Sequence, residues 1–466
     1  MSEIVTAPAS SRSEWKWVTL AEVGKVITGN TPPTSDTENY GDAIPFVKPT
    51  ELVDRGIRTA PNGLATQAIG KARVVPTGAV LVSCIGNLGK TGIAKVPVAF
   101  NQQINAVVFN DNVVPEFGFY YAQTLKLWLY GESSATTIPI VNKGKFQQAR
   151  FPLVPMEEQR EIVAEIEKQF SRLDEAVANL QRVKANLKRY KASVLKAAVE
   201  GRLVETEATQ ARREGRTYET GEQLLQRILE ERRAKWMGKR KYREPVKPEI
   251  ESLSELPDGW AWASPEQVSA GEPYSLAIGP FGSSLKVSDY KTEGVPLVFV
   301  RNIRSGVFGG ENTVYVSADK ATELAAHAVG AGDILVTKMG DPPGDVCRYP
   351  VTRPAAVITA DCIKLRLTKV GADPSFIEYA IASRVVQDQI LSITKGVAQL
   401  KVNLANFSSI AVPLPPLVEQ TRIVAEVDRH LSIVREVEAE VDTNLKRAQA
   451  LRQATLSRAF SIQGEK

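Results

Sequence analysis

The stretch PLVPMEEQREIVAEI, Pro152–Ile166, returns 261 residues later as PLPPLVEQTRIVAEV, Pro413–Val427, with nine of fifteen positions identical. Each copy opens a segment without Pro or Gly, one over Met156–Glu200 and one from about Leu417 to Phe460. In the first, Ile166, Phe170, Leu173, Val177, Leu180, Leu187, Tyr190 and Val194 recur in steps of three and four, with one step of seven. In the second, Val427, Leu431, Val434, Val437, Val441, Leu445, Ala448 and Leu451 repeat the pattern. Such spacing puts one narrow apolar stripe along a helix. Each helix would run roughly 65 Å at 1.5 Å per residue. Gly201 supplies a stop for the first. Stripes of equal length satisfy each other when the helices pair, and an antiparallel coiled coil is the expectation. Two separate amphipathic helices on globular domains is the other reading of the same residues.

The segments before the helices also correspond. WVTLAEV from Trp17 matches WASPEQV from Trp262, YGDAIPFV from Tyr40 matches YKTEGVPLV from Tyr290, and VPTGAVLVSCIG from Val75 matches VGAGDILVTKMG from Val329. PEFGFYYAQ from Pro115 resembles PSFIEYAIA from Pro374. The chain is therefore a pseudo-two-fold internal repeat of a globular domain and a long helix. GAVLVSCI, NAVVFN, GDILVTKM and DCIKLRLT read as strands. PEFGFYYAQTLKLWLYG and PSFIEYAIASRVVQDQILS read as short helices with Pro near the first turn. Without a regular βαβ alternation, the class is α+β around a twisted sheet. The expected boundaries are a first domain over 1–150, the first long helix within 151–204, a connector over 205–256, a second domain over 257–411 and the second long helix within 412–466. The connector carries a helical, basic run, Arg227–Lys247, with Trp236 and Tyr242 interleaved, and then a Pro-rich acidic linker. The run reads as a packing or partner helix with a solvated basic face.

Composition narrows the function. A length of 466 residues with 43% hydrophobic and 24% charged residues describes a globular protein of at least two domains. No apolar run reaches the roughly 18 residues of a membrane span. The first twenty residues lack the apolar middle of a signal peptide, which predicts an intracellular protein. Cys84, Cys347 and Cys362 have no metal or redox spacing and read as reduced buried thiols. His327 and His430 are the only histidines, so a histidine-based metal site or catalytic triad is not expected. His430 falls in the second helical pattern, where a solvated side chain is expected. The net charge of +5 is compatible with nucleic acid.

Two motifs mimic catalysis. IGNLGKT, Ile85–Thr91, has two residues where a phosphate loop needs four between its glycines, so a strand followed by a Gly-rich turn is expected. DPPG, Asp341–Gly344, resembles the Asp-Pro-Pro-aromatic element of amino-methyltransferases, but Gly344 cannot stack on a base. A Pro-Pro turn after the strand DILVTKM is expected instead. The pattern is that of a reader rather than a catalyst; a scaffold without sequence reading and an autonomous methyltransferase are its rivals.

The helix openings PLVPMEEQ and PLPPLVEQ, together with GNTPPTS…YGDAIPFVKPTEL and GPFGSSLKVSDYKTEGVPLVFVRNI before them, resemble the specificity (S) subunit of type I restriction-modification systems over almost the whole chain. YETGEQLLQRILEERRAKW resembles the central region of longer members. The resemblance implies two target recognition domains, each reading half of a bipartite double-stranded DNA site. It implies that the coiled coil sets the spacing and holds two methyltransferase subunits, and that two translocating restriction subunits join for cleavage. It implies no catalytic residue and no metal or cofactor on this chain, with S-adenosylmethionine, ATP and Mg on the partners. A cytoplasmic, nucleoid-associated prokaryotic protein follows.

Lys and Arg supply phosphate contacts, and Arg, Lys, Asn and Gln read base edges. Candidates sit in polar loops that end strands. In the first domain they are Lys48, Lys90, Asn101, Gln102, Gln103, Asn142, Lys143 and Lys145. In the second they are Ser283, Ser284, Lys286, Arg301, Asn302, Arg304, Lys338, Lys395, Gln399 and Lys401.

Overall fold

A computed structural model describes residues 15–134, 137–236, 241–304, 306–310, 312–394 and 400–460. Its contacts divide the chain into two compact units, Met1–Arg182 with Val441–Lys466, and Val183–Glu440. The long helices run over Met156–Val199 and Leu417–Phe460, as their Pro- and Gly-free spans require.

The first unit begins with a ribbon in which Lys16–Thr19 pairs antiparallel with Arg150–Leu153, the strand that leads into the first long helix. A capping box follows, with Glu22 accepting from the Thr19 backbone N–H at 2.7 Å. The main sheet has the order Gly24–Thr28, Ile104–Phe109, Val80–Ser83, Thr91–Ala94, Arg55–Ile57, antiparallel except for the last pair. Val80–Ser83 is buried throughout, as a continuous apolar run in a covered strand should be. A smaller sheet has the order Gly63–Leu64, Tyr40–Val47, Val98–Phe100, Val74–Val75, and its central pair is parallel. Helix Pro115–Ala122 carries Phe117 against Phe151 and, at 5.3 Å between ring centres, Phe460. Ile162, Ile166 and Phe170 from the start of the first long helix share this core with Leu456 and Phe460 from the end of the second. The two segments are thus antiparallel within the unit. Arg452 lies 3.9 Å from the centre of the Phe170 ring and donates to Asp174 at 2.8 Å.

The second unit repeats this order. Ala261–Ala263 pairs with Val412–Leu414, with Trp262 opposite Pro413 just as Trp17 is opposite Pro152. Gln267 caps the Ser264 N–H at 2.9 Å. The main sheet runs Leu276–Ile278, Cys362–Leu365, Ile334–Thr337, Val346–Arg348, and the smaller one Tyr315–Val316, Val295–Val298, Ala356–Ile358, Ala328–Val329. Leu297 and Val357 form a parallel pair, as Phe46 and Ala99 do. Where the first head adds Arg55–Ile57, the second has a hairpin, Ile303–Arg304 with Val307–Phe308.

The connector helix Gly221–Ala234 belongs to this second core through Leu224, Leu225 and Ile228. Its start lies so close to the ribbon that a Cβ on Gly221 would stand 2.1 Å from the Leu414 carbonyl oxygen. Part of its basic face is engaged: Arg232 donates to the Ser269 and Ala270 carbonyls at 2.6 and 3.0 Å, and Arg227 pairs with Glu219. Lys239 and Arg240 lie outside the described residues.

Of the stripe residues, Ile166, Phe170, Val194, Val427, Leu431, Val434, Val441 and Ala448 are buried, Leu173, Val177, Leu180, Leu187, Val437 and Leu445 are half-buried, and Tyr190 has an exposed ring whose hydroxyl meets the second helix. Two readings are corrected. Leu451 is 55% exposed, because the final turns of the helix aim Leu456 and Phe460 into the head. His430 is held rather than solvated: its Nδ1 is 2.7 Å from the Tyr190 hydroxyl and its Nε2 is 3.0 Å from Glu426.

Candidate nucleic-acid interface

In each head the strand-ending loops are tied into one platform by backbone hydrogen bonds. In the first head, the loop after Gly24–Thr28 is fixed by Gly29 N–H to the Ile104 carbonyl and Asn30 N–H to the Phe100 carbonyl. Asn101 N–H donates to Val47, and Cys84 N–H to Gln103. Val141 N–H donates in turn to Cys84, and Gly86 N–H to Pro139. The segments carrying Lys48, Asn101–Gln103, Ile85–Lys90 and Asn142 are thereby brought together. The turn in IGNLGKT depends on its glycines, since Gly86 and Gly89 have φ of +79° and +77°.

The second head uses the same bonds. Gly279 N–H donates to Cys362, Thr359 N–H to Val298, Lys338 N–H to Asp361 and Val402 N–H to Lys338. Met339–Gly340 pairs with Leu400–Lys401 where the first head has the bridge Ile85–Ile140. The turn that follows the first strand of the smaller sheet is also shared: Glu51 accepts from Lys48 N–H at 2.5 Å, and Asn302 from Phe299 N–H at 2.8 Å. DPPG forms the turn between Ile334–Thr337 and Val346–Arg348, with Gly344 at φ +106° and its N–H on Thr337.

The candidate side chains divide by what they already do. Lys48, Gln102, Lys143, Ser283, Ser284, Lys286, Arg301, Arg304 and Lys401 are exposed, and Lys90, Gln103 and Lys338 are half-buried. Arg301 is braced over the Phe299 ring at 4.1 Å and donates to the Asn312 carbonyl at 3.1 Å, which fixes its guanidinium plane. Lys338 donates to the Ala360 carbonyl at 3.3 Å, and Lys145 to the Glu132 carbonyl at 2.8 Å. Three amides are committed to structure. Asn142 caps the helix Lys143–Gln147. Asn101, buried, bonds Gln103 twice. Asn302, buried, also donates to the Gly309 carbonyl at 2.8 Å. Lys395 and Gln399 lie outside the described residues.

Sequence reasoning passed over Thr31, which donates to Gln102 at 2.7 Å, and Arg73, whose exposed side chain reaches the Thr28 carbonyl. Thr31 lies in the loop GNTPPTS and could have been found there; Arg73 carries no local signal.

The electrostatics separate platform from core. Burial pushes the thiols of Cys84, Cys347 and Cys362 up to about 12, so they stay protonated and unreactive. Partial desolvation raises the carboxyl of Asp345, an exposed residue that follows the DPPG turn, and the Arg304 charge opposes it. Among the described residues no group of three or more His, Cys, Asp or Glu could hold a metal ion, and no helix is long and apolar enough to cross a membrane.

Comparison with known proteins fits two readers of one design. The family model for the type I restriction modification DNA specificity domain matches residues 12–189 and 331–446, together more than half of the chain. The chain is 22% identical over 459 residues to the type I restriction enzyme EcoBI specificity subunit of Escherichia coli, covering 97% of this chain and 86% of that protein. It is 20% identical to the MjaVIII specificity subunit of Methanocaldococcus jannaschii, covering 93% and 91%. A solved structure described as the basis of complex assembly and conformational transition of the type I R-M system aligns with a TM-score of 0.61 at 19% identity, over 96% of this chain and 97% of that one. The two α+β heads with their long helices thus belong to the family of type I restriction-modification DNA specificity subunits.

Proposed function

We propose that this chain reads a bipartite, asymmetric DNA sequence for a type I restriction-modification complex, one half-site per head. The observation that carries the reading is the loop platform. Both heads hold it with the same backbone bonds, yet fill it with different side chains. A scaffold without DNA reading has no use for two matched but chemically unlike platforms.

In this reading the exposed Lys and Arg of each platform neutralise phosphates, and Arg301, held flat by Phe299, is suited to the edge of a guanine. The long helices set the distance between half-sites and carry two methyltransferase subunits, with two restriction subunits joining for cleavage. The partners supply S-adenosylmethionine, ATP and Mg, and this chain supplies no catalytic residue. The glycine at position 344, where a base-stacking aromatic would stand, supports the last point.

The test is a head exchange. Replacing residues 257–411 with those of a relative should change one half of the methylated motif and leave the other. Deleting the gene should abolish both methylation and cleavage at the motif. A scaffold would instead bind target and scrambled duplex equally across a salt series. An autonomous methyltransferase would modify DNA with no other protein present.

A further inference from the structure

The repeated Glu-Gln of the two helix openings has a shared geometry. Gln159, fully buried, accepts from Val114 N–H at 2.7 Å and donates to the Asn112 and Val154 carbonyls at 2.9 and 2.8 Å. Gln420, fully buried, accepts from Asp373 N–H at 2.8 Å and donates to the Gly371 and Pro415 carbonyls at 3.4 and 2.9 Å. Each side chain therefore joins three elements of its own unit: the first turn of a long helix, the strand exit before it, and the residues that start the short helix of the head, Pro115–Ala122 or Pro374–Ala382. A glutamine amide offers one acceptor and two donors, and here all are used. Glutamate lacks the donors, and asparagine is one methylene too short. The preceding Glu158 adds a bond from the Trp15 indole at 2.9 Å in the first unit.

We propose that Gln159 and Gln420 are positioning residues, which fix the angle between each head and its long helix and so make the complex selective for spacer length. This rests on the bipartite reading above. The residues lie away from the platforms, so they act on the distance between half-sites and not on the bases read.

The test uses the complex of this chain with its methyltransferase partner. Initial methylation rates are measured on duplexes carrying both half-sites with the native spacer, one pair fewer and one pair more. The complex with Gln159→Ala should accept the altered spacers with a preference for the native one reduced about tenfold, while single-base changes in either half-site remain as damaging as in the wild type. Gln420→Ala should do the same. Gln159→Met keeps the volume without burying a charge, should relax the preference in the same direction, and carries the test where the alanine variant does not fold. A variant that retains the wild-type spacer preference overturns the proposal, as does one that relaxes base choice and spacing together. A wild-type complex indifferent to spacer length overturns the bipartite reading itself, and the positioning role with it.

Discussion

The Tyr190 hydroxyl stands 2.7 Å from His430 Nδ1 and joins the two long helices across their paired faces. The imidazole is fixed on its other side by Glu426, 3.0 Å away. Tyr190→Phe removes one partly exposed hydrogen bond and should cost about 1 kcal/mol or less. Chemical denaturation of the two proteins side by side checks it.

Phe170 is the larger anchor. It packs edge-on against Tyr120 and under Arg452, and is 4% exposed. Phe170→Ala should lose about 3 kcal/mol, the ordinary cost of emptying an aromatic site in a core. Arg452→Ala should cost far less, since its pairing with Asp174 is half-exposed. Thermal melts of both variants rank them.

Lys364 gives the second unit a pH dependence. It is buried in the strand Cys362–Leu365 and donates to the Ala328 carbonyl at 2.7 Å. Burial first, and then the Arg366 charge, lower its pKa from 10.5 to about 8. Between those values the unfolded chain holds the proton that the native protein has released, so stability should rise with pH across that window. The cost is full below about pH 8 and amounts to roughly 3 kcal/mol at 1.36 kcal/mol per unit. Denaturation midpoints at pH 8 and pH 10 should differ in the wild type by more than in Lys364→Met.

Platform residues should separate into binders and braces. Arg304→Ala and Lys401→Ala should each weaken DNA binding and reduce the slope of log K against log salt by about 0.9, with melting unchanged. Asn302→Ala should lower stability by about 1–3 kcal/mol, because it strands the Phe299 N–H and the Gly309 carbonyl. Salt titrations and melts on the same preparations distinguish the two classes.

Much of this was legible in the residues, for physical reasons that differ by element. The long helices declare themselves through a stripe of period near 3.5 and the lack of Pro and Gly, both local signals. The duplication revealed which strands correspond, and the same pairs recur in both heads, Trp17 with Pro152 and Trp262 with Pro413 among them. Strand order was not legible. The parallel pairing of Phe46 with Ala99 joins residues far apart in the chain, and nothing near either announces it. Asn142 and Asn302 look like base readers in sequence because amides serve both bases and backbones; only burial and partners separate the uses. His430 was misjudged because helical spacing cannot report what the other helix places opposite.

The ribbon has a consequence for how such a protein can change. A chain enters each head on one strand and leaves on the strand beside it, about 4.8 Å away. Everything between is one contiguous insertion, seated on the helices through contacts such as Phe117 with Phe460. Its loops can lengthen or be traded wholesale without moving the helices outside, so new sequence preferences can arise by grafting rather than by point mutation.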